Sequence, residues 1–124
     1  MRRLILIVED SETCAETLQI ALESIPDVDI RAVRSSLAAL AALGERLGEI
    51  AAIVTDLHLP QSDGFELIRE LRALPRFARV PILLISGDSD PRLPARAIEQ
   101  GADAFFAKPY SPAAVRRKLE QLLC

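Results

Sequence analysis

Four short, almost purely apolar runs constrain this chain more than any other feature: LILIV (4–8), AAIVT (51–55), VPILLIS (80–86) and AFFA (104–107). A strand with one wet face alternates polar and apolar residues, whereas a strand covered on both faces does not. Runs this short read as strands, far below the ~20 apolar residues of a membrane span. Covering both faces of the sheet they form takes helices on each side. A fifth run, DIRAV (29–33), does alternate, with Asp29 and Arg31 between apolar positions, which suits a sheet edge.

Helical patterns fill the gaps. Residues 12–25 place Ala15, Leu18, Ala21, Leu22 and Ile25 at three- and four-residue spacing. SLAALAALGERL (36–47) is rich in strong helix formers, and GFELIRELRAL (64–74) follows an Asp63/Glu66 capping box. Val115, Leu119 and Leu122 form one stripe over 112–123, and a fourth helix over 91–100 contains Pro94. Asp90-Pro91 and Ser111-Pro112 each read as an N-cap followed by proline at the first helical position, and Gly101 stands where a C-cap glycine belongs. Strands alternating with helices of this length imply right-handed crossovers and a doubly wound α/β sandwich. The expectation is a single domain over 1–124 with a flavodoxin-like (βα)5 fold. Its five-stranded parallel sheet runs in the order 2-1-3-4-5, with the alternating run at an edge.

Composition narrows the partners. A net charge of −3 argues against nucleic acid or an anionic membrane as the main partner. The opening MRRLILIVED has a charged start, but its apolar stretch is too short for a signal-peptide core. Cys14 and Cys124 lie near opposite ends and match no metal or disulfide spacing. Cys14 falls on the apolar side of the first helix and reads as a small core residue. A cytoplasmic, reduced protein is expected.

In an open α/β sheet the functional crevice lies beyond the carboxyl ends of the strands, where the strand order reverses. Glu9 and Asp10 follow the first run, Asp56 the third, Ser86 ends the fourth, and Lys108-Pro109 follow the fifth. The first and third strands are neighbours at that reversal, so the three acids should converge. Two carboxylates ~4 Å apart repel by roughly 4 kcal/mol at an effective dielectric near 20, so such a cluster wants a cation. All-oxygen ligands suit a hard ion such as Mg²⁺ or Mn²⁺, which also binds phosphoryl oxygens. Lys108 adds a second positive charge and Ser86 a hydroxyl. These are the parts of in-line phosphoryl transfer to a carboxylate: Asp56 as nucleophile, cation and Lys108 as neutralising charges, Ser86 as a donor to one oxygen. Taken singly each has a plainer reading, as a helix cap, a surface lysine or a turn serine. Their joint placement at four strand ends favours the site.

In these residues the chain resembles a response-regulator receiver domain of two-component signalling, of the CheY-like single-domain type. The likeness spans nearly the whole sequence. It rests on the acidic pair after the first strand, VTDLHLPQSDG around Asp56, LLISG at the fourth strand and GADAFFAKPY at the fifth. The resemblance implies that Asp56 takes phosphate from a histidine kinase or histidine phosphotransfer protein. It implies that Asp10 ligates the metal directly, that Glu9 acts through water, and that the backbone carbonyl of His58 completes the set. It further implies catalytic roles for Lys108 and Ser86, a switch made by Ser86 and Phe105, and a cis Lys108-Pro109 peptide. The only chemistry implied is the chain's own phosphotransfer and autodephosphorylation.

His58 and Asp88 stand two residues after Asp56 and Ser86, flanking the path of a hydrolytic water, and are read as tuning the lifetime of the aspartyl phosphate. The implied output is the face of helix four, strand five and helix five. There Arg92, Arg96, Asp103, Tyr110, Arg116 and Arg117 would meet a downstream protein target or, on phosphorylation, a second copy of the chain. Two departures from the family pattern stand out: the first acid is Glu, and the switch aromatic is Phe rather than Tyr. Three rivals fit less well. A flavin module would need a hydroxyl- and glycine-rich phosphate loop where Glu9 and Asp10 sit. An aspartate-nucleophile phosphatase would usually show Asp-x-Asp where His58 follows Asp56. A degenerate receiver used only for binding would lack a site residue, and none is missing.

Overall fold

The computed structural model describes residues 2–45 and 49–123. Five parallel strands, β1 (Arg3–Val8), β2 (Val28–Val33), β3 (Ile50–Asp56), β4 (Ile82–Ser86) and β5 (Ala104–Ala107), form one sheet in the order β2-β1-β3-β4-β5. Five helices connect and follow them: α1 (Glu12–Leu22), α2 (Ser36–Glu45), α3 (Gly64–Arg72), α4 (Leu93–Glu99) and α5 (Pro112–Leu123). This is the flavodoxin-like doubly wound architecture expected from the runs.

Burial follows the two-residue period of a strand. Leu6 and Val8 of β1 join a cluster with α2, α3 and α4, while Ile5 and Ile7 join one with α1 and α5. Both faces are covered, which is why β1 carries no polar residue between Leu4 and Val8. Each buried Leu or Ile there stabilises the fold by about 1.5–3 kcal/mol. At the edge, β2 leaves Arg31 and Ala32 exposed and buries Val28 and Val33. None of the helices described is long and apolar enough to cross a membrane.

Element ends depart from the periodicity where proline or a turn intervenes. The third helix stops at Arg72 because Leu74 precedes Pro75 and is held extended (φ −93°, ψ 122°); a 3₁₀ turn, Pro75–Phe77, comes next. The first helix stops at Leu22, yet Ile25 stays buried in the turn beyond it. Asp90-Pro91 does not start a helix. Asp90 accepts the Arg92 N–H on its side chain and the Leu93 N–H on its carbonyl, forming a turn. α4 then begins at Leu93, so Pro94 falls in the first turn, where no N–H is needed. Ser111 does cap α5, accepting the Ala114 N–H at 3.2 Å. Asp63 caps α3 through the Glu66 N–H at 2.8 Å, while the Glu66 carboxylate takes the Ser62 hydroxyl instead of closing the box. Residues 46–47 of the expected second helix, and Cys124, lie outside the described residues.

Arg72 ties the lower end of the sheet together. Its Nη1 donates to the carbonyls of Phe77 (2.8 Å), Ala78 (3.2 Å) and Val80 (2.7 Å), and its Nε to that of Gly101 (2.9 Å). Its Nη2 reaches Asp103 Oδ2 at 3.0 Å, and the same oxygen accepts the Ile82 N–H that opens β4. Gly101, with φ +112°, leaves the room this requires: a Cβ there would lie 3.0 Å from Arg72 Cγ.

Candidate functional site

The upper ends of β1, β3, β4 and β5 bring the expected residues together. Glu9 and Asp56 are buried, Asp10 is exposed, and one carboxylate oxygen from each lies within 4.8 Å of the other two. Lys108 Nζ lies 2.7 Å from Glu9 Oε1 and 3.2 Å from Asp56 Oδ2, one ammonium serving two acids. Burial opposes its charge. The hydrogen bond to Glu9 and the charges of Asp56 and Glu9 prevail, and hold its pKa above the usual lysine value. The main chain fixes the remaining oxygens: Asp56 Oδ1 accepts the Leu57 N–H at 2.9 Å, and Glu9 Oε2 the Ser11 N–H at 3.2 Å.

Ser86 is fully buried at the end of β4, and its Oγ accepts the Asp88 N–H at 3.0 Å, leaving its own O–H to donate. The pattern repeats along the loop, because Asp88 Oδ1 accepts the Asp90 N–H and Asp90 Oδ1 the Arg92 N–H. His58 is exposed at the start of a two-residue ribbon, His58–Leu59 with Ser62–Asp63, and its Nε2 lies 3.5 Å from Asp88 Oδ2. Phe105 is half-buried and packs against the cluster beneath α2, α3 and α4. The Lys108-Pro109 peptide is cis.

Two parts of the site carried no side-chain signal. The Leu57 N–H that holds Asp56 belongs to the backbone, invisible in any residue pattern. Gly64 admits the Asp56 carbonyl, since a Cβ there would lie 2.5 Å from that oxygen. The Asp-Gly pair that opens α3 was the available clue. Cys14 is not in the core. It is half-buried and lines a recess of about 400 Å³ with Thr17, Pro109 and Tyr110. The recess separates this turn of α1 from the segment after β5, and the helix buries Ala15, Leu18 and Leu22 instead. Burial raises the Tyr110 pKa.

On the expected output face several groups are already engaged. Asp103 is held by Arg72, Arg92 pairs with Asp90, and Arg96 lies 5.0 Å over the Phe65 ring. Arg116 reaches Ser24 just past the end of α1, turning away from α4.

The description "Response regulator receiver domain" belongs to the family model that matches residues 5–120. The chain belongs to this family. The receiver is similar to the transcriptional regulatory protein GltR of Pseudomonas aeruginosa, with 33% identity over 121 residues. That match covers 98% of this chain and 49% of GltR, so the chain spans about half the length of that relative. It is also similar to the chemotaxis protein CheY1 of Helicobacter pylori, 25% identical over 96% of this chain and 95% of that one. Among solved structures, a putative response regulator from Chloroflexus aurantiacus superimposes with a TM-score of 0.88 at 28% identity, covering 99% of this chain and 98% of that one. Receiver domains are phosphoacceptors of two-component signalling that bind a divalent metal in an acidic pocket, and the Glu9, Asp10 and Asp56 cluster fits that description.

Proposed function

We propose that Asp56 is the phosphoacceptor of this receiver, and that phosphorylation resets the α4, β5 and α5 face to control binding of a partner protein. The observation that supports this best is the single ammonium of Lys108 bridging Glu9 and Asp56 beside the exposed carboxylate of Asp10. A carboxylate oxygen of Asp56 attacks the phosphorus of a phosphohistidine on a histidine kinase or phosphotransfer protein. A P–O bond forms, the P–N bond breaks, and the imidazole leaves with a proton. Lys108 balances charge on the transferred group, and the Ser86 O–H bonds one of its oxygens.

Glu9, Asp10, Asp56 and the His58 carbonyl would hold Mg²⁺ or Mn²⁺, whose charge when bound neutralises the phosphoryl oxygens. The donor set is all oxygen and partly open to solvent, which fits a hard ion that keeps waters. His58 and Asp88 flank the approach of a hydrolytic water and set how long the aspartyl phosphate lasts. The test is incubation with a small phosphoramidate donor and Mg²⁺, followed by peptide mass mapping. A hydroxylamine-labile phosphoryl group at residue 56, absent from Asp56→Asn and from Mg²⁺-free samples, is the expected result. A label elsewhere, or none, would refute the assignment.

A further inference from the structure

At the opposite end of the sheet from Asp56, a recess of about 420 Å³ opens between the 3₁₀ turn and the end of α5. Three arginines line it, Arg3 at the start of β1 and Arg76 and Arg79 around the turn. Half-buried Ile50, Val80 and Leu122 supply apolar walls, and no acidic residue is among the lining residues.

The arrangement stands out against the rest of the surface. Eight of the described arginines have a hydrogen-bond, ion-pair or ring partner outside this recess: residues 2, 31, 34, 69, 72, 92, 96 and 116. Arg3 and Arg79 have no such partner among the described residues, and Arg76 only stacks on its neighbour Phe77 at 5.0 Å. Of the described arginines left without an ion pair or hydrogen bond, three therefore share one concavity; the others are Arg96, over the Phe65 ring, and Arg117. In a chain of net charge −3 this is a local concentration of cations with no acidic group among the described lining residues. Guanidinium forks match phosphoryl and carboxylate oxygens in pairs, and the volume lies in the range of small-molecule sites.

We propose that this recess binds a small organic polyanion of the nucleoside diphosphate type. Its phosphoryl oxygens lie on Arg3, Arg76 and Arg79, and its ring lies against Ile50, Val80 and Leu122. The site is independent of the phosphoacceptor chemistry at the other end of the sheet. Its test is calorimetry with adenosine diphosphate and with pyrophosphate, in Mg²⁺-free buffer, on wild type and on the double variant Arg76→Ala, Arg79→Ala. Amide shift mapping accompanies the titration. Both side chains are exposed, and an unchanged melting temperature of the variant checks that the fold is kept.

The expected result is saturable binding of adenosine diphosphate, at least tenfold weaker in the double variant. Pyrophosphate should bind at least tenfold more weakly than the nucleotide, and shifts should centre on residues 3, 50, 79 and 122. No binding, or equal binding by the variant, would overturn the site. Shifts centred on the loops around Asp56 would do the same. Pyrophosphate binding as tightly as the nucleotide would show that charge alone is recognised and overturn the assigned class.

Discussion

Three acids and one lysine share the upper end of the sheet, so the balance of charge at single residues governs both stability and chemistry. Without a divalent ion, Lys108 is the one cation paired with Glu9 and Asp56 among the described residues, and Asp10 adds a further negative charge. Asp56→Asn removes one negative charge from this cluster. Its melting temperature in metal-free buffer should therefore rise above wild type while phosphorylation is lost. Millimolar Mg²⁺ should stabilise the wild type by RT ln(1 + [L]/Kd) and the variant much less, as thermal melts will show; equal stabilisation of both would argue against the site. Lys108 also gives a pH signature. Its folded pKa is raised, so its contribution is complete below the ordinary lysine value of 10.5 and is lost as the pH climbs through the raised value. The stability difference between wild type and Lys108→Met should thus stay constant from neutral pH up to that range and shrink above it, measured by urea denaturation across pH.

Elements are pinned to one another by a few side chains that reach across the chain. Arg72 on α3 satisfies carbonyls before β4 and before β5, and orients Asp103 to receive the Ile82 N–H. Arg72→Ala should cost about 2–4 kcal/mol in urea denaturation, because part-buried carbonyls lose their donors. Arg72→Lys should recover little, since one ammonium cannot reproduce the spread of a guanidinium. At the other end, His58→Ala and Asp88→Ala should each change the lifetime of phospho-Asp56 several-fold in a dephosphorylation time course; wild-type lifetimes in both would remove the tuning role.

The strands, their order and the convergence of Glu9, Asp10, Asp56, Ser86 and Lys108 were legible in the sequence. Doubly buried strands leave solid apolar runs, and a parallel sheet gathers the residues after each strand at one end. The ends of helices were less so. At Leu74 the next residue, a proline, overrode a continuing helical stripe, and at Asp90 a side-chain turn competed with a cap. The Arg72 clamp was not legible at all, because most of its partners are backbone carbonyls and the one carboxylate, Asp103, lies 31 residues away.

At the scale of the molecule, the proposed output is a change of affinity across the face of α4, β5 and α5. In that proposal Phe105 is the switch: it carries no hydroxyl, so moving it inward leaves no polar group unsatisfied, and a change of about 1.4 kcal/mol in binding free energy is tenfold in partner affinity. Amide shifts with and without a beryllofluoride phosphoryl mimic should extend through residues 91–118; changes confined to the loops around Asp56 would place the output elsewhere. The span of the charge pairs has a consequence for synthesis. Lys108 meets Glu9 across 99 positions and Asp56 across 52. A ribosome makes the acids first and the lysine last, so a nascent chain halted before β5 holds the carboxylates without their counter-charge. It also lacks the strand that completes the sheet. Any chain that stops before β5 therefore carries Asp56 without the ammonium that pairs with it.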